Sequence, residues 1–330
     1  MKRIFSLLLM PVLMLALSCT AEAADDTLDN SVDENTEVTP PDDGGVEPDC
    51  TDQSAGSIAD VLKDYSGKTK VSLIGDSIST FEGWLAEGYR SYYPYTNPQT
   101  QAAVTKVSQQ WWYKLIYDRM SNAVLEKNLA WTGTMVTRST NEEMKDKHWY
   151  GRDFNARVMD TSMGEPDVIF VFGGTNDISS RGVDEGKVTM YPGYQMKSET
   201  PPSAEQMKTV FDLADATSTL AQAEALEDRY FIHAYVKLIT LLHHKYPKAK
   251  VVMLIGDRMF TGAEAAMLSI AEHYKTLYGY RCVNFLDIQS YNGTDVITKV
   301  NNPHPDDNGF TVMADYIYKV VGSYIDPLNK

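Results

Sequence analysis

The sequence has few cysteines and little positive charge. Its 330 residues include three cysteines, and 30 lysines and arginines stand against 45 aspartates and glutamates, which gives a formal net charge of −15. A nucleic-acid-binding protein needs basic patches that neutralise phosphates. We therefore expect no nucleic-acid partner.

Motifs for cofactors and metals are also missing. The sequence contains no P-loop and no Gly-x-Gly-x-x-Gly fingerprint of dinucleotide-binding folds. No cysteine and histidine cluster has the spacing of a metal site. His243 and His244 are adjacent, so on a helix their side chains would point apart. We expect neither a cofactor nor a metal.

The one long apolar run lies at the start of the chain. Lys2 and Arg3 precede the apolar residues 4–17, and Ser18-Cys19 follows. A basic start, an apolar stretch and a small residue at the cleavage point are typical of a secretory signal. No other stretch is long and apolar enough to span a bilayer. The sequence therefore predicts an exported protein.

The cysteine directly after the small residue resembles a bacterial lipoprotein signal, in which that cysteine carries the lipid. This resemblance implies a signal peptide over residues 1–19, lipidation at Cys19, and membrane contact through the lipid anchor alone. The protein would then lie at the outer membrane or in the periplasm. The alternative is cleavage near residues 21–23, which would release a soluble secreted protein.

The next segment is strongly acidic. Residues 20–52 contain twelve acidic residues and no lysine or arginine. Residues 20–55 also have almost no aliphatic side chains, so they cannot bury enough surface to fold. We predict a disordered tether over 20–55 and a folded domain over 56–330. Cys50 and Cys282 could form a disulfide in an exported protein, or Cys282 could be a small buried hydrophobic residue.

The remainder of the chain alternates between apolar strands and amphipathic helices. A hydrophobic fraction of 43% suits a sizeable core. Strands alternating with helices predict a parallel sheet covered by helices on both faces. The five predicted strands are residues 70–75, 123–128, 168–172, 251–255 and 283–288.

Polar motifs follow three of these strands. Gly75-Asp76-Ser77 follows the first, a turn with Gly133 follows the second, and Gly174-Thr175-Asn176-Asp177 follows the third. A fourth motif, Pro303-His304-Pro305, comes near the end. Each has a structural alternative, because Ser77 could cap a helix, Asn176 could form a turn and His304 could be a surface histidine.

These four motifs, in this order, resemble the blocks of the SGNH (GDSL-type) hydrolase family. The resemblance spans residues 70 to about 325. It implies a three-layer α/β/α sandwich with a central five-stranded parallel sheet, flavodoxin-like. It also implies Ser77 as nucleophile, His304 as base, and an oxyanion hole formed by Ser77, Gly133 and Asn176.

One position departs from the family pattern. The acid expected three residues before the histidine is replaced by Asn301. Its amide oxygen can accept from the histidine ring, but it carries no charge. Three outcomes are open: Asn301 or a backbone carbonyl orients His304, another acid (Asp295, Asp306 or Asp307) serves, or the site is weakened or inactive.

The expected activity is hydrolysis of small acyl esters through an acyl-enzyme on Ser77. Residues 80–107 form a long connection rich in aromatic residues, and aromatic side chains near a polar crevice often stack on sugars. We therefore predict an acylated carbohydrate as substrate, with candidate contacts from Trp84, Tyr92, Tyr93 and Arg258. The alternatives are a non-catalytic glycan-binding protein of the same fold, or a lysophospholipase or thioesterase.

Overall fold

A computed structural model of the chain describes residues 64–96, 103–178, 189–196, 200–256, 261–287 and 304–328. Predictions for the signal peptide, the tether, Cys19 and Cys50 fall outside these ranges. Arg258 and Asn301 also lie outside the described residues.

Five parallel strands form the central sheet. They are β1 (Thr69–Gly75), β2 (Ala123–Asn128), β3 (Val168–Phe172), β4 (Lys250–Ile255) and β5 (Arg281–Asn284). Their spatial order is β2-β1-β3-β4-β5, the flavodoxin-like arrangement. The predicted parallel sheet of five strands is confirmed.

The last strand differs from its prediction. The apolar residues after Cys282 predict a strand over 283–288, whereas β5 begins at Arg281 and ends at Asn284. Its register places Cys282 beside Met253 and Val283 beside Leu254. The chain then turns into a short 3₁₀ helix, in which Phe285 still packs in the core on the same face as Val283. The apolar run therefore continues beyond the strand.

Helices cover both faces of the sheet. They are α1 (Trp111–Tyr113, continuing as a π-helix over Lys114–Arg119), α2 (Phe154–Asp160), α3 (Ala204–Asp215), α4 (Leu220–Glu224), α5 (Phe231–Lys245), α6 (Thr261–Tyr278) and α7 (Asp307–Ile325). Two short antiparallel ribbons, Tyr95–Thr96 with Ala103–Val104 and Thr189–Tyr191 with Tyr194–Gln195, lie outside the sheet.

Two apolar clusters separate the three layers. Successive side chains of a strand point to opposite faces, so Leu73 lies in one cluster and Ile74 in the other. The cluster around Ile74 includes the buried sides of α2, α3, α5 and α6. The cluster around Leu73 includes those of α1 and α7. The chain is therefore a three-layer α/β/α sandwich, as predicted.

Within the described ranges, no helix has both the length and the apolar character needed to cross a bilayer. The same residues contain no group of three or more histidine, cysteine, aspartate or glutamate side chains placed to hold a metal ion.

Candidate active site

Four sequence motifs meet at the carboxyl-terminal edge of the sheet. The order in which strands are added to the sheet reverses between β1 and β3, and ligands of open α/β sheets bind at such a switch point. Ser77 follows β1 in a 3₁₀ turn, and Asn176 begins a 3₁₀ turn after β3. Gly133 follows β2, and His304 lies just before α7.

The side chains of Ser77 and His304 are in direct contact. His304 Nε2 lies 2.7 Å from Ser77 Oγ, across 227 residues of sequence. Ser77 is 8% exposed, so its side chain is largely buried. A serine bonded to a histidine ring nitrogen is the arrangement that activates the hydroxyl as a nucleophile.

The serine turn is held from several sides. Asp76 caps it by accepting a hydrogen bond from the backbone N–H of Ile78 at 3.1 Å. Thr80 donates its hydroxyl to the carbonyl of Ser77 at 2.8 Å. Gly75 is required here, because a Cβ at that position would lie 2.8 Å from the Cβ of Ser79. Ser77 therefore sits in a turn that several contacts fix.

Backbone N–H groups of the first two motifs are further features of this edge of the sheet. Gly133 has φ +74°, a left-handed conformation that glycine adopts without strain. Among the described residues, the N–H groups of Ser77 and Gly133 have no acceptor. Backbone N–H groups are the donors from which an oxyanion hole is built.

The turn after β3 is hydrogen-bonded to residues 133–137, which we call the glycine loop. The side-chain amide of Asn176 donates to the carbonyl of Thr134 at 2.9 Å. The carboxylate of Asp177 accepts from the backbone N–H groups of Val136 and Thr137, both at 2.9 Å, and from the Thr137 hydroxyl at 2.7 Å. The hydrogen bond to Thr134 fixes the position of the Asn176 amide beside the loop that follows Gly133.

A buried arginine that the sequence did not indicate ties these segments together. Arg157, on α2, is 2% exposed. Its guanidinium donates to the carbonyls of Gly75 and Leu129 and to the hydroxyl of Thr134. These acceptors come from the ends of β1 and β2 and from the glycine loop. Burial lowers the pKa of Arg157 to about 10, so the group remains charged at neutral pH.

Two buried carboxyl groups lie in the turns after β1 and β3. Burial raises the pKa of Asp76 to about 7, opposed by the hydrogen bond from Ile78 and by the charge of Arg157. Burial also raises the pKa of Asp177 to about 6, opposed by its hydrogen bonds to Val136 and Thr137. Both side chains stabilise turns, since Asp76 accepts from the N–H of Ile78 and Asp177 accepts from the N–H groups of Val136 and Thr137.

The predicted aromatic contacts take up different positions. Trp84 packs on Trp112 with ring centroids 5.6 Å apart. Tyr92 is stacked on His304 at 3.7 Å. Tyr93 is 1% exposed and donates its hydroxyl to the carbonyl of Pro305 at 3.0 Å. Its ring is therefore buried in the protein interior.

Two of the acids considered in place of Asn301 have other partners. Asp306 caps α7 by accepting from the N–H of Gly309 at 2.8 Å. Asp307 pairs with Lys114, with Nζ and Oδ1 2.8 Å apart. Asn301 and Asp295 lie outside the described residues.

Known proteins share this architecture. Residues 69–215 match a family described as GDSL-like Lipase/Acylhydrolase. The structure of a GDSL-like lipase from Bacteroides uniformis ATCC 8492 is 23% identical, covers 78% of this chain and 98% of its own, and gives a TM-score of 0.53. The corresponding structure from Bacteroides ovatus ATCC 8483 is 22% identical, covers 78% of this chain and 99% of its own, and gives a TM-score of 0.52. At such identities these structures show a shared fold.

A family two carbohydrate esterase from Cellvibrio japonicus is 14% identical, covers 79% of this chain and 62% of its own, and gives a TM-score of 0.45. At that TM-score the likeness carries no argument about substrate. No curated protein matches the chain.

Proposed function

We propose that the chain is a serine hydrolase of the esterase type in the SGNH (GDSL-type) family, which the match of residues 69–215 to GDSL-like Lipase/Acylhydrolase supports, and that it hydrolyses small acyl esters through Ser77. The observation that carries the proposal is the 2.7 Å contact between Ser77 Oγ and His304 Nε2. It supports a nucleophile with its base already within hydrogen-bond reach.

The proposed reaction has two halves. Ser77 Oγ attacks the ester carbonyl while His304 Nε2 takes its proton, and the resulting oxyanion is bound by the N–H groups of Ser77 and Gly133 and the Asn176 amide. His304 then gives the proton to the departing alcohol, which leaves an acyl group on Ser77. Water, deprotonated by His304, attacks this acyl-enzyme and releases the acid and the free serine.

We further propose that the acyl group is small and is carried by a carbohydrate. The exposed large apolar side chains of the described residues are Leu213, Leu268, Leu277, Val320 and Leu328. None belongs to the segments that carry Ser77, Gly133, Asn176 or His304, so they offer no apolar path for a long acyl chain. The half-buried rings of Trp84, Tyr89 and Tyr95, in the connection that follows the Ser77 turn, support a sugar as the leaving group. A strong preference for long-chain thioesters or lysophospholipids would contradict this proposal.

The function is tested with residues 53–330, measuring hydrolysis of an aryl acetate and labelling by a fluorophosphonate probe. We expect both, with the label on Ser77 by peptide mass analysis. Absence of both activities would contradict the proposal and favour a glycan-binding protein.

The same assay on Asn301→Asp tests our hypothesis that Asn301 orients His304. We expect little gain in activity from this substitution. Activity that appears only in Asn301→Asp would indicate that the parent site is inactive because of this one position.

The Asn176 side chain provides a more specific prediction. Asn176→Ala removes one proposed oxyanion donor, so we expect kcat to fall about 10²–10³-fold. Labelling of Ser77 should persist at a reduced rate, because the nucleophile and base remain. Asn141→Ala is the matched control, since that side chain caps a surface turn by accepting from the N–H of Glu143. A kcat for Asn176→Ala within a few-fold of the parent would contradict the assignment.

We keep the hypothesis that Cys19 anchors the enzyme to a bacterial membrane. It rests on the apolar run before Ser18-Cys19 in the sequence. Metabolic palmitate labelling tests it, and a parent chain without label would contradict it.

A further inference from the structure

The ring of Tyr92 lies flat on the imidazole of His304. Their centroids are 3.7 Å apart and their planes differ by 9°. His304 is bonded to Ser77 through Nε2, so a tyrosine covers one face of the proposed base while the ring edge points to the nucleophile. The ring of Tyr93 packs edge-on against the same imidazole, with ring centroids 6.1 Å apart.

The backbone of Tyr92 is bonded to the serine turn. Its N–H donates to Thr80 Oγ1 at 2.8 Å, and the same hydroxyl donates to the carbonyl of Ser77 at 2.8 Å. Thr80 is fully buried. One buried hydroxyl therefore links the segment that carries the nucleophile with the residue that covers the base.

Neighbouring rings hold Tyr92 in place. Tyr93 contacts it edge-on with centroids 5.0 Å apart, and Tyr95 lies at 4.8 Å with a tilt of 39°. Tyr93 is itself bonded through its hydroxyl to the carbonyl of Pro305, the residue after His304. The ring of Tyr92 is thus packed among His304, Tyr93 and Tyr95.

We propose that Tyr92 is a positioning residue for His304, rather than the sugar-stacking residue that the aromatic loop first indicates. The inference rests on the proposed function. An imidazole turns about two side-chain bonds, and a ring stacked on its face blocks rotations that would carry Nε2 away from Ser77. Because misplacement of a reacting group by about 1 Å can cost about 10²-fold in rate, the stack is needed for kcat and not for substrate affinity.

The test compares Tyr92→Leu with Tyr92→Phe and Tyr92→Trp, using the aryl acetate assay. In Tyr92→Leu we expect kcat to fall about 10²-fold with KM within about twofold. The two aromatic variants keep a stacked ring and should retain kcat within about threefold. A rise in KM with unchanged kcat in Tyr92→Leu would overturn the proposal, because it would mean direct contact with substrate. Loss of kcat in Tyr92→Phe equal to that in Tyr92→Leu would overturn it as well.

Two further variants separate positioning from general packing. Tyr278→Leu removes a half-buried tyrosine that is likewise stacked on a histidine, His243, with ring centroids 3.6 Å apart, and it should leave kcat unchanged. Thr80→Val keeps the side-chain shape, removes both links from Thr80, and should lower kcat with KM unchanged even if Tyr92→Leu fails to fold. Unchanged kcat in Thr80→Val and in a folded Tyr92→Leu would overturn the proposal while the esterase function stood. A parent without activity and without probe labelling would instead overturn the proposed function.

Discussion

Replacing Ser77 or His304 by alanine is expected to lower kcat for the aryl acetate by the same large factor, on the order of 10⁶. The double variant should be no slower than either single variant. Neither residue performs its step alone, since Ser77 is a weak nucleophile until His304 takes its proton, and their atoms already lie 2.7 Å apart. Activity that remains should come from the oxyanion donors and from substrate binding.

His273→Ala is the matched control for this pair. That histidine lies on α6, where Nε2 is 3.0 Å from Asp215 Oδ1, and its loss should leave kcat unchanged. Thermal unfolding of each variant establishes that the fold is intact. If the losses in the two single variants add in the double variant, Ser77 and His304 act independently and the proposed mechanism is wrong.

Replacing Arg157 by methionine is expected to lower the free energy of unfolding by about 3–5 kcal/mol. The buried guanidinium satisfies the carbonyls of Gly75 and Leu129 and the hydroxyl of Thr134. Each buried acceptor left unpaired costs about 1–3 kcal/mol. Asp76 and Asp153 would also lose the charge of Arg157, which favours their ionised forms.

Urea unfolding of the 53–330 domain measures this effect, and the melting temperature should fall by roughly 10 °C. Arg138→Met is the control, because its side chain is 50% exposed and its partner Asp228 keeps a second cation, Lys237 Nζ, at 2.7 Å. We expect that control to lose at most about 1 kcal/mol. Equal losses in the two variants would contradict the proposed role of Arg157.

Local patterns in the sequence were sufficient for the sheet and for the residues at its edge. The apolar runs that end in Gly75 and in Phe172 are strands β1 and β3. Parallel strands bring their carboxyl ends to one edge, so motifs after three strands were expected to meet there. The position of His304 beside Ser77 came from the family resemblance, since nothing local indicates a contact over 227 residues.

Arg157 could not be identified in this way. Helix α2 has only seven residues, and an arginine in a short helix usually faces solvent. Its acceptors are backbone carbonyls and a hydroxyl from three separate segments, and such groups carry no signature in the sequence. The one local signal was Asp153, which caps α2 by accepting from the N–H of Ala156.

The stacking of Tyr92 on His304 also could not be predicted from the sequence. Residues 80–107 contain many aromatic side chains at irregular spacing, so no periodicity separates a ring that covers the core from one that contacts the base. Burial distinguishes them only in the folded chain, where Tyr93 is 1% exposed and Tyr92 is stacked on the imidazole. The expectation of sugar contacts rested on residue type alone.

The separation of 227 residues between Ser77 and His304 has a consequence for biogenesis. A contact so distant in sequence closes a very long loop, and closing that loop costs chain entropy. Chains emerge from the ribosome amino terminus first, so β1 and its serine turn are made long before α7 can dock. Partly synthesised chains would therefore not hydrolyse esters, and activity would begin only after α7 has docked.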